Sequence, residues 1–267
     1  MRYGMRLGGF GGLQSRLGAF RARVEGKSEG ELLFQRTGTT EDAIVYDVRG
    51  ERSAGWAGLA FVFLSVLGSL LVGLTPSPNV GGAALSDYSH GRHSALLLYL
   101  WLSFPESAFF LWFAVGMRAF LLQTPDPDEG LPTYALVTAI MASAVAMVGA
   151  TLAAAFILAP TPTRELPALL YVLQTVDVTI IFMAFTPFVF ACTHSMRRHS
   201  TGAAWLIGLG YLASILMGLS TLGILAPAGI FAPDGLFGYI AFFVLLLWII
   251  GASLALIQAR RTVRTAA

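Results

Sequence analysis

Six apolar runs, each longer than the roughly 20 residues that cross about 30 Å of hydrocarbon, leave this chain few ways to fold. They lie at residues 55–75, 95–122, 133–158, 167–194, 204–225 and 237–258. A backbone in lipid must satisfy its own hydrogen bonds, so runs of this length form helices. The expected fold class is all-α, a polytopic transmembrane bundle of six helices. Composition agrees: 12% of the residues are charged, about half the roughly 25% of soluble domains.

Six crossings place both ends of the bundle on one side, and charge selects that side. Of the 17 Lys and Arg residues, fifteen fall in the tails, at the end of the second run or in the 196–203 loop. The opposite face carries Arg92 and Arg164. The positive-inside rule then puts both termini in the cytoplasm of a bacterial cell, with the bundle in its inner membrane. The 15 Asp and Glu nearly balance the basic residues, which gives no reason to expect a nucleic-acid partner.

The expected organisation is a cytoplasmic tail over 1–50, a membrane domain over 51–260 and a short cytoplasmic tail over 261–267. The first twenty residues contain no apolar h-region, so no cleavable signal peptide is expected and insertion relies on the first membrane helix. Leu7, Phe10, Leu13, Leu17, Phe20 and Val24 recur at helical spacing among Arg6, Arg16, Arg21 and Arg23. That is the pattern of a basic amphipathic segment on a membrane surface, opposed by four glycines over 8–12 that each cost a helix about 1 kcal/mol. Over 31–49, two short runs rich in Leu, Ile, Val, Phe and Tyr flank a Gly-Thr-Thr-Glu-Asp turn, the signature of a β-hairpin.

Within the bundle, two acidic residues stand out. Glu106 is the twelfth residue of its run and Asp177 the eleventh of its own, so both lie about 15–17 Å in at 1.5 Å per residue. A carboxylate at that depth costs roughly 2.5–3.5 kcal/mol on insertion scales and marks a candidate site. Ser103, Ser107 and Gln174 accompany them as candidate ligand-binding groups, and Trp101 and Trp112 as candidate aromatic walls for an apolar ligand. Pro105 and Pro187 each remove a helix hydrogen bond. Ala142, Ala146, Ala150 and Ala154, with Gly210, Ser214 and Gly218, form small-residue stripes that let helices approach closely.

Other chemistries are weakly supported or absent. His90 and His93, with Asp87, are weak candidates for a metal site in the loop before the second run. No histidine lies mid-membrane to hold a haem, and Lys27, the single lysine, lies in the tail, away from any retinal site. Cys192 is the single cysteine, which leaves no disulfide framework and no paired-cysteine site. Phosphate-binding loops, GxSxG and HExxH are missing. No cofactor is expected beyond a bound lipid or other apolar ligand.

From the fourth run onward the chain carries an Asp in a long helix, a basic turn, WLIGLGYLASILMGLSTLGIL, and an APAGIFAPDGLFGYIAFFVLLLWIIGASLALIQ ending. Over about 55–258 this resembles a group of bacterial six-helix membrane proteins that carry a domain-of-unknown-function label. The resemblance implies a six-helix bundle and supplies no activity. The function expected is an integral membrane accessory or hydrophobic-ligand-binding protein, a subunit of a larger membrane complex, with lipids and other membrane subunits as partners. The alternatives are an intramembrane enzyme on an isoprenoid- or lipid-like substrate, with Glu106 and Asp177 as acid and base, and a proton- or cation-coupled transporter. Reporter fusions at residues 128, 163, 200 and 234 should read cytoplasmic, outside, cytoplasmic and outside. Any inverted pair overturns this topology.

Overall fold

A computed structural model describes residues 52–73, 82–123, 129–158, 165–225, 230 and 235–258. The amphipathic segment over 1–24, the hairpin over 31–49 and the C-terminal tail lie outside the described residues. Among the described residues six long apolar helices are present: α1 Arg52–Val72, α3 His93–Leu121, α4 Gly130–Leu158, α5 Glu165–Arg198, α6 Ala204–Ser220 and α7 Leu236–Gln258. A shorter helix, α2 Gly82–Gly91, precedes α3. All six long helices meet the length and hydropathy of membrane spans. The chain is a polytopic helical membrane protein.

α2 falls in the segment read from sequence as a loop. Its inner side carries Leu85 and Ser89, both buried. Leu85 packs in a satellite cluster with Leu96, Phe156, Ile157 and Tyr171. Arg92, the single residue between α2 and α3, turns its guanidinium back onto the end of α1. There Nη1 donates to the carbonyls of Val72 and Leu71 at 3.0 and 3.4 Å, supplying donors to carbonyls that a helix end leaves open. Gly73, in the left-handed region at φ 65°, makes room for it, since a Cβ there would strike the guanidinium.

Successive helices from α3 to α7 pack in sequence, and α3 also meets α7. α1 closes the arrangement. Gly55 lies against Ser253 and Ile257 of α7, and Gly116 of α3 lies against Ala54. The beginning of α1 and the end of α7 therefore share one end of the bundle, as an even number of crossings requires. α5 ends where Ser200 takes a left-handed φ of 52° and the Thr201 N–H reaches back to the Met196 carbonyl. α6 tightens into a 3₁₀ turn over Thr221–Ile224, beside Ser220 and Thr221 hydroxyls that donate to the carbonyls of Met217 and Gly218.

The half of the bundle nearer Arg118 and Arg197 is dense. Phe113, Met117, Phe188, Val189, Cys192, Met196, Met217, Trp248 and Ile249 are all fully buried there. Lipid supplies no hydrophobic drive between helices, so this density holds through dispersion, about 0.1–0.2 kcal/mol per atom pair. Gly210, from the stripe expected at a helix contact, lies in this packing. A Cβ at that position would run into Thr193 Oγ1 and Trp248 Nε1. Gly210→Val should therefore cost about 1–3 kcal/mol as overpacking. Gly208→Ala, with open space around it inside α6, should be neutral or stabilising by up to about 1 kcal/mol. Thermal unfolding in detergent would check both, and equal effects would contradict the packing described.

Candidate functional site

The other half of the bundle is hollow. A cavity of about 440 Å³ lies among α1, α3, α4, α5 and α7, within the size range of small-molecule sites. Its floor is aromatic. Phe61, Phe110 and Phe185 line it, with ring centroids 5.2 Å apart between Phe61 and Phe110 and 4.7 Å between Phe110 and Phe185. Phe188 packs edge-on to Phe110 at 5.3 Å and carries the packing down to Trp248 at 6.0 Å. At the opposite end Val72 and Gly73 form part of the wall, next to Arg92. The Tyr88 hydroxyl donates to the Val72 carbonyl at 3.0 Å. Burial raises the Tyr88 phenol above its ordinary value, against a smaller opposing pull from Arg92, so it remains a neutral donor.

Both carboxyl groups singled out in the sequence line this one cavity, together with Ser103, Ser107 and Gln174. On α3, Tyr99, Ser103, Glu106 and Phe110 follow the i, i+4, i+7, i+11 pattern of one helical face, and all four line the cavity. Ser65 of α1 donates to Glu106 Oε1 at 2.5 Å. Asp177 is 6% exposed, and its carboxyl makes no hydrogen bond or ion pair with any described residue. It is accommodated by Gly149 of α4, where a Cβ would collide with Asp177 Oδ2. Ser143 of α4, 7% exposed, also lines the cavity, and its Oγ is buried without a hydrogen-bond partner.

The hydroxyl protons around the wall are largely committed. Ser103 donates to the Tyr99 carbonyl, Ser69 to Ser65 and Thr175 to Tyr171, at 3.0, 2.9 and 2.9 Å. These side chains therefore present lone pairs to the cavity. Together with two carboxyl groups they make an acceptor-rich interior. No Lys, Arg or His is among the lining residues.

Other residues singled out in the sequence lie apart from this cavity or act in it differently. Trp101 and Trp112 do not line the cavity. They are 66% and 57% exposed, because each sits roughly 120–140° around α3 from Glu106 at 100° per residue. Trp112 instead donates to Ser53 Oγ at 3.2 Å. The stripe of Ala142, Ala146 and Ala150 does more than allow close packing, since these three line the cavity and their short side chains leave its volume open. His90, His93 and Asp87 form no metal set. Among the described residues no three His, Cys, Asp or Glu side chains are grouped to hold an ion. His90 Nδ1 lies 2.8 Å from the Ser86 carbonyl of its own helix.

Sequence reasoning missed Ser65, Tyr99 and Ser143. The i, i+4, i+7 relation of Tyr99 and Ser103 to Glu106 was present in the chain as a signal. Ser65 had none, since its pairing depends on how α1 is rotated. No protein-family model, curated protein or solved structure matches this chain, so function is argued from the cavity itself. Because Ser65 and Glu106 share one hydrogen bond, Ser65→Ala and Glu106→Leu should be non-additive in unfolding free energy by about 0.5–3 kcal/mol. A double-mutant cycle that closes additively would mean the bond contributes nothing.

Proposed function

We propose that this protein is an inner-membrane ligand-binding component that holds an apolar or amphipathic molecule in the cavity, with both termini cytoplasmic. The observation that carries this reading is the cavity itself: largely apolar walls around a few converging polar groups, which is the make-up of a small-molecule site. Membrane lipids surround the bundle as its solvent. In a larger assembly the protein would serve as an accessory subunit that presents or retains its ligand. The fifteen basic residues grouped on the side of the termini support the orientation, which puts the cavity in the half of the membrane away from the cytoplasm.

A second reading, intramembrane acid–base chemistry, has a specific observation behind it. Glu106 and Asp177 line the same cavity, and one hydrogen-bonded and one unpartnered carboxyl in a single cavity suit a donor and an acceptor of protons. The two readings separate by what co-purifies. A binding protein carries the same chemical species, at whatever occupancy, in wild type, Glu106→Gln and Asp177→Asn. An enzyme retains substrate in the variants and loses it or carries product in wild type.

The primary test is native mass spectrometry of protein extracted from its own membranes. Wild type should carry a bound species. Ala146→Phe, which places a ring in the cavity, should lower its retention by at least about tenfold with the bundle still folded. An empty wild type, or a bound species indifferent to Ala146→Phe, would remove the reading.

A further inference from the structure

The interior of the cavity is mismatched to a wholly apolar guest. Two carboxyl groups face it, and one of them, Asp177, is buried with no hydrogen-bond or ion-pair partner among the described residues. Ser143 Oγ, on the same wall, is also buried and unpartnered. Polar groups left unmet in a protein interior are costly, and a native structure holds few of them. The neighbouring hydroxyls of Ser65, Ser69, Ser103 and Thr175 have already given their protons away. What the lining lacks beside its two carboxyl groups is a cation.

No Lys, Arg or His among the described lining residues supplies one. The nearest basic side chain along α3 is Arg92, which is engaged with the end of α1. It lies fourteen residues before Glu106, about 21 Å along the helix at 1.5 Å per residue. Tyr99, Tyr239 and Phe242 bring aromatic rings to the lining, and aromatic rings attract a desolvated cation. We propose that the ligand is a membrane-partitioning amphiphile bearing a protonated amine, its ammonium paired with Asp177 and its hydrocarbon part against the aromatic floor. This deepens the cavity-binding reading and rests on it.

The test uses full-length protein in phosphatidylcholine nanodiscs, with empty nanodiscs as the partition control. Three probes share one chain and differ in the head: dodecylamine, dodecanol and dodecanoate. At neutral pH the amine should bind saturably and at least about tenfold more tightly than the alcohol, with the carboxylate weakest. Asp177→Asn should weaken the amine by about tenfold and leave the alcohol unchanged. Gly149→Ala, which displaces the Asp177 carboxyl without removing its charge, should weaken the amine in the same direction. If the amine and alcohol bind wild type equally, or the amine is indifferent to Asp177→Asn in a folded variant, the amine proposal fails and the cavity-binding reading stands. If no probe binds above the empty-nanodisc level and wild type matches Ala146→Phe, both fail together. Should Asp177→Asn not fold, the ranking of the three probes on wild type decides.

Discussion

Phe110 and Phe188 are where the bundle is tied together. Phe110 brings α3 against Phe61 of α1 and Phe185 of α5, and Phe188 continues through Phe113 to α3 and through Trp248 to α7. Four helices meet in this knot of rings. The tilted and edge-on geometries are those that aromatic quadrupoles favour, each pair adding about 0.5–1.5 kcal/mol beyond area burial. Everything else follows from its position. Below it, toward Arg118 and Arg197, side chains fill the interior. Above it, α4 contributes mainly Ala and Gly to the wall, and the helices enclose space instead of side chains.

The hollow half is expensive to maintain. A cavity forfeits dispersion contacts along its lining, and an acidic side chain in a membrane interior opposes insertion. Substituting larger apolar residues at Ala146, Ala150 and Asp177 would remove both penalties. Filling a functional site commonly stabilises a protein at the cost of its activity, so the combination of void and unpaired carboxyl carries a functional argument that neither feature carries alone. Ser65 shows the protein meeting part of the cost, with a hydroxyl aimed at Glu106 across the α1–α3 contact. Asp177 receives no comparable help.

The number and type of long helices were legible because length and hydropathy alone decide them in lipid. The expected boundaries, such as 204–225 against an observed α6 and 3₁₀ turn ending at Ile224, agree to within a few residues at most. That the two acids belong together was partly legible: rise per residue gave Glu106 and Asp177 similar expected depths, and both line one cavity. Rotation was not. Trp101 and Trp112 were grouped with Glu106 by proximity along the chain, whereas their angular separation on α3 sends them to the outer face. α2 escaped notice because ten residues with four polar side chains carry no membrane signal, and its burial comes from Leu85 meeting residues of α3, α4 and α5. Ser65 and Ser143 look like ordinary small residues of a membrane helix until the facing helix is known.

The division between dense and hollow halves also bears on transport. A solute crossing the bundle would have to pass Phe110, Phe188 and Trp248, all essentially without exposed surface and in mutual contact. Proteins that alternate access usually place their site at the interface of internal repeats and move one repeat against the other. Here four helices are locked through the same rings, and the stripe around Gly210 packs α5, α6 and α7 so closely that a single Cβ has no room. Interfaces this dense have discrete alternatives or none, because packed interiors do not deform continuously. A cavity closed at its base by such packing exchanges its occupant through the Arg92 end or sideways into lipid. A ligand that partitions into the bilayer can use the second route. A hydrophilic ion cannot, which is consistent with the proposed retention of an amphiphile.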